Sequence, residues 1–168
     1  QQYYDTAFRA LNGVREVIDR HYDTTIECYY YINRGALLEV TGKLDSAAYC
    51  YARAYDIWKM LGKESEIFRV TFNLGFIEWE KKNYAEALRY YKLSEASAKK
   101  FGMAREVAHV NGTMAEGYAS IGDYKNAYNY LHDYATMNDS LSKSDFNTYV
   151  AKLDKQFEAQ KKQEIIQA

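Results

Sequence analysis

The chain repeats itself at a step of 40 residues, and that periodicity limits its fold more than anything else in the sequence. Ala7, Ala47, Ala87 and Ala127 are equally spaced, and Tyr4, Leu44, Tyr84 and Tyr124 keep the same step three places earlier. Gly35, Gly75 and Ala115 follow it, as do Gly62 with Gly102, while Gly42 and Gly122 stand two steps apart. A period of this size marks a solenoid, in which each unit is one supersecondary element that buries its apolar face on its neighbours.

Each unit reads as two helices. Phe72, Phe76 and Trp79 have helical spacing, a short polar break follows at Lys82-Asn83, and a second helix opens at Tyr84. Gly102 stands just past that helix, at the place of a left-handed cap. Thr24 with Glu27 has capping-box spacing, and Asp123 precedes the helix opening at Tyr124. Gly35 or Gly75 on the first helix, with Ala47 or Ala87 on the second, allows the two axes to approach closely. The chain has no proline, which suits uninterrupted helices because proline costs about 3 kcal/mol in a helix interior. Its 18 tyrosines suit helix-on-helix contact, with the ring buried and the hydroxyl wet or bonded.

These residues carry a family resemblance. Asn73-Leu-Gly75, then Asn83-Tyr-Ala-Glu-Ala87 and Tyr91, resemble a tetratricopeptide repeat. Tyr31, Gly35, Leu38, Gly42, Ala47, Tyr51 and Ala54 fit the same pattern one unit earlier. The third unit keeps Tyr118, Gly122, Tyr124 and Ala127, but has Ala115 where glycine is usual and Tyr134 where a small residue is expected. The step also exceeds the usual value of about 34, so each helix should gain nearly a turn. The resemblance implies an all-α fold, a right-handed α-α superhelix (a tetratricopeptide-like solenoid) with a long C-terminal helix. The solenoid is expected over 1–142, as a half repeat at 1–22 and repeats at 24–62, 64–102 and 104–140, with a capping or connector helix over 143–168. The half repeat, lacking its first helix, leads to the expectation that the natural solenoid continues upstream.

The tail differs from the repeats. Phe146, Val150, Leu153 and Phe157 form an apolar stripe suited to docking on the third repeat, whereas residues 158–164 have no apolar face. Asp139-Ser-Leu141, followed by the charged helix through Ile166, resembles the juncture in regulators of the Bacteroidetes. There an extracytoplasmic repeat domain leads to a membrane span and then to a histidine-kinase or helix-turn-helix output domain.

Signs of catalysis are missing. The sequence contains no Gly-rich phosphate loop, HExxH, paired CxxC or GxSxG, so no catalytic, cofactor-binding or metal-binding residues are expected. His21, His109 and His132 lie far apart; His109 and Glu116 share a face as a solvated pair. Cys28 lies about fourteen residues before the turn near Gly42 and Cys50 about seven after it. At 1.5 Å per residue the mismatch is roughly 10 Å, beyond the separation of about 7 Å that a disulfide tolerates. Both thiols are expected free and buried. Asn111-Gly-Thr113 and Asn138-Asp-Ser140 read as chance glycosylation patterns. Asp5-Thr-Ala7, Asp45-Ser-Ala47 and Asp139-Ser-Leu141 resemble Bacteroidetes O-glycan acceptors, but helix-start roles compete. The net charge of -1 argues against a nucleic-acid surface, and no run approaches the roughly 18 apolar residues of a membrane span.

The resemblance also implies where a partner sits, because the first helix of each repeat lines the inner groove. Carried over position by position, the groove comprises Tyr29, Asn33, Ala36 and Glu39, then Arg69, Asn73, Phe76, Trp79 and Glu80, then His109, Thr113 and Glu116. Asn33 and Asn73 occupy equivalent places where the family's peptide binders use asparagine to grip an extended backbone, an amide being both donor and acceptor. A carboxylate clamp is not expected, since Tyr29, His109 and Thr113 replace its cations. The reading is a protein- or peptide-binding sensor segment of a bacterial signalling or transcriptional regulator. It is non-enzymatic, periplasmic, compatible with dimerisation, and has a membrane span and output domain downstream. The alternative is a free-standing cytoplasmic adaptor or scaffold.

Overall fold

From Thr24 to Tyr124 a helix starts every twenty residues, half the period read from the sequence. The computed structural model describes residues 2–21, 23–138 and 143–167. All regular structure among these is helical: α1 Gln2–His21, α2 Thr24–Val40, α3 Leu44–Met60, α4 Glu64–Glu80, α5 Tyr84–Lys100, α6 Ala104–Ser120, α7 Tyr124–Met137 and α8 Lys143–Gln167. Helices α2 to α6 each have 17 residues, and within the compact units α2 packs on α3, α3 on α4 and α6 on α7.

The joints explain the regularity. From α2 to α7 each is three residues long, and its middle residue has positive φ: Gly42, Gly62, Lys82, Gly102 and Gly122. The residue after it donates its amide back to the last turn, Lys43 to Leu38, Lys63 to Trp58, Asn83 to Glu78, Met103 to Ala98 and Asp123 to Tyr118. That six-to-one bond satisfies a carbonyl the helix end would otherwise orphan. The cap expected at Gly102 is present, and Lys82 holds the same conformation (φ 64°) with a side chain attached. Asp123 caps α7 by accepting from the Asn126 amide at 3.2 Å. The capping box at Thr24 does not form. Asp23, one residue earlier, accepts from the Thr25 and Ile26 amides at 2.9 and 3.0 Å, which leaves Glu27 turned toward Arg15, 3.8 Å away.

The chain divides into two compact units, Gln1–Ser97 and Ala98–Ala168. In the first, Leu38, Ala47, Cys50, Tyr51, Leu74 and Ile77 form one core cluster and Cys28, Ala54, Ile57, Trp58 and Val70 another. Gly35 and Gly75 are required by close approach. A Cβ on either would stand 2.7 or 2.6 Å from the ring of Tyr51 or Tyr91, respectively. The Tyr51 hydroxyl finds its acceptor in Glu39, at 2.8 Å. Both cysteines are free and buried, and the Cys28 thiol rests on the Ala54 carbonyl at 3.3 Å.

The second unit solves the same contact differently. Ala115 replaces glycine, and the residue opposite is Leu131 rather than tyrosine; both are buried. Tyr134, too large for the pattern, is accommodated because Gly112 faces it, where a Cβ would lie 3.4 Å from the ring. The α8 stripe docks as expected: Leu153 is buried, Phe157 meets Tyr124 edge-on and Phe146 meets His132. Beyond it, residues 158–163 are exposed. Asp139-Ser-Leu141 lies outside the described residues. Asp45 sits in the first turn of α3 without capping it and pairs with Lys81 at 3.2 Å. Asn111 is buried, which fits the chance reading of its glycosylation pattern.

Candidate functional site

In the first unit, the residues expected to line a groove share the outward stripe of α2. Tyr29, Asn33 and Ala36 are exposed and Glu39 half-buried, while Cys28, Gly35 and Leu38 on the same helix are buried. Not all of these groups are equally free. The Asn33 amide donates to the Tyr29 carbonyl of its own helix at 2.9 Å, Glu39 is engaged by Tyr51, and Tyr29 lies edge-on against Trp58 at 5.4 Å. Asn33 thus commits one amide N–H to its own helix.

Helix α4 carries the second row. Arg69 and Glu80 are exposed and pair with no described residue, while Asn73, Phe76 and Trp79 are half-buried. Val70, Leu74 and Ile77 take the core side. The Asn73 amide, unlike that of Asn33, makes no hydrogen bond to a described residue. Trp79 is anchored by an edge contact with Tyr84 at 5.0 Å, so one part of the indole is structural and the rest faces outward. The row thus offers a free amide beside two half-buried aromatic side chains, with opposite charges at its ends.

In the second unit His109, Thr113 and Glu116 do come together on α6. With Gly112, Leu131 and Tyr134 they line a cleft of about 360 Å³. Its remaining wall, Tyr149 of α8, was not among the expected residues. The Tyr149 hydroxyl donates to Glu116 at 3.1 Å, and burial, then the nearby Glu116 charge, pushes its pKa up. The signal was present, since Tyr149 lies beside the apolar stripe three residues after Phe146 and one before Val150. Thr113 donates to the His109 carbonyl. Among the described residues no group of His, Cys, Asp and Glu is arranged to hold a metal ion, and no helix is long and apolar enough to cross a membrane.

Three comparisons bear on this geometry. The tetratricopeptide repeat family matches residues 25–100. No curated protein matches the chain. Among solved structures, BtubC (BKLC) from P. vanneervenii resembles it with a TM-score of 0.78 at 19% sequence identity, over 94% of this chain and 70% of that chain. At such identity the likeness is one of fold. The recurring helical hairpins of residues 25–100 thus match the tetratricopeptide repeat, a repeat that is typically non-catalytic and generally serves protein–protein interaction.

Proposed function

We propose that the chain holds an extended polypeptide against the outward rows of its first-in-pair helices, as the sensing or interaction segment of a bacterial signalling or transcriptional regulator. The α4 row carries the reading. A free Asn73 amide can bond one peptide unit as donor and acceptor, while the half-buried Phe76 and Trp79 rings supply apolar anchors, which carry a large share of binding energy at protein interfaces. Arg69 and Glu80 would set register by charge rather than add much affinity.

The regulator role, an extracytoplasmic location and a span and output domain downstream are supported by the likeness of the 139–166 segment to junctures in Bacteroidetes regulators. The exposure of residues 158–163 near the end of α8 suits a connector. The competing adaptor role differs in the gene itself: an apolar span and an output domain encoded after α8 support the regulator, and their absence removes it.

The peptide-binding claim is tested by selecting ligands from a displayed random-peptide library on the whole chain. Selected peptides should lose about tenfold in affinity, or about 1.4 kcal/mol, with Asn73→Ala and more with Phe76→Ala. Unchanged affinity in both variants would remove the α4 row from the account.

A further inference from the structure

A second feature of the first unit lies off the groove rows. Tyr30 and Arg34 on α2 stand where the next two repeats carry Val70 with Leu74 and Val110 with Met114. Those four aliphatic residues are all buried. Repeat one has therefore exchanged a plain packing pair for a ring and a charge. The exchange opens a cleft of about 770 Å³ between α1, α2 and α3.

Its walls are cationic. Two guanidinium groups stand near the Tyr30 ring, Arg15 at 6.0 Å and Arg34 at 5.8 Å from its centroid, and Arg34 also donates to the Tyr30 hydroxyl. Arg15 is neutralised by Asp19 at 2.8 Å and Glu27 at 3.8 Å. Arg34 and Lys43 have no carboxylate within ion-pair distance among the described residues; Lys43 faces the Phe8 ring at 5.9 Å. Among the described lining residues the one acid, Asp45, is already held by Lys81. A half-buried guanidinium without a counter-charge is costly, and here two uncompensated cations line the same opening. Tyr49, exposed at the edge, adds an open ring.

We propose that this cleft is a binding site for a small organic anion, whose phosphate or carboxylate group is held by Arg34 and Lys43. Arg15 and Tyr30 are positioning residues that keep the Arg34 guanidinium aimed. The volume falls in the usual range for small ligands, about 300–1,000 Å³, and Asp45 at the rim opposes entry of an extended acidic chain.

The test is calorimetric titration of the full chain with citrate, with a mononucleotide and with a hexaglutamate peptide. Saturable binding of citrate or the nucleotide supports the site and tells carboxylate from phosphate. It should weaken about tenfold in Arg34→Gln and in Lys43→Gln, and weaken with added salt. The double change Tyr30→Val with Arg34→Leu, which installs the pair of the second repeat, should fold, keep or raise the thermal midpoint, and abolish binding. No saturable heat from either small anion, binding by the peptide alone, or small-anion binding that survives the double change would each overturn the proposal.

Discussion

Among the described joint residues Lys82 is the one that carries a side chain into left-handed space, at φ 64°. A non-glycine residue there costs about 1–2 kcal/mol, so Lys82→Gly should stabilise the chain by about 1 kcal/mol, read as a raised urea midpoint at unchanged slope. Gly75 makes the opposite case. Gly75→Ala drives a methyl group into the Tyr91 ring and should destabilise by about 1–3 kcal/mol. Adding Tyr91→Leu reproduces the Ala115–Leu131 pair of the second unit, so the double variant should recover much of that loss in a double-mutant cycle. Cys28 is governed by burial, which together with the nearby Glu66 and Glu27 pushes its thiol up to about 12. The folded chain thus keeps a proton that the unfolded chain loses near pH 9. Stability should fall as pH rises from about 9 toward 12, more steeply than in Cys28→Ala, and a disulfide reagent at pH 8 should label Cys28 only after denaturation.

At the scale of elements, the sequence shows the hairpins because alanine and glycine sit where axes approach, and those positions allow few residue types. The twenty-residue step was harder to see, because Lys82 interrupts the glycine series at joints that otherwise read 42, 62, 102 and 122. The N-cap of α2 is Asp23 rather than Thr24; Asp23, Thr24 and Thr25 are all competent caps, and only geometry shows which one accepts the amides. Tyr134 was legible as an anomaly but not as half of a pair, since its partner Gly112 lies on the other helix. The groove rows were legible as periodic positions. Their chemistry was not, because nothing in the sequence distinguishes Asn33, bonded to its own helix, from the free Asn73. Leu153 is the buried side chain among the described residues of α8, so Leu153→Ala should cost about 2–4 kcal/mol. The same change should speed amide exchange along α8 while leaving α2 and α3 protected.

For the molecule as a whole, the account assigns binding to the outward rows and structure to the second-in-pair helices. Exposed positions on α3 and α5, such as Ala52 and Ala85, should then be silent toward a bound peptide. The most direct measurement is a photo-crosslinking map with a library-selected peptide and a photoreactive residue placed singly at Ala36, Phe76, Ala52 and Ala85. The account predicts capture from Ala36 and Phe76 and none above background from the other two; equal or stronger capture from Ala52 or Ala85 would contradict it.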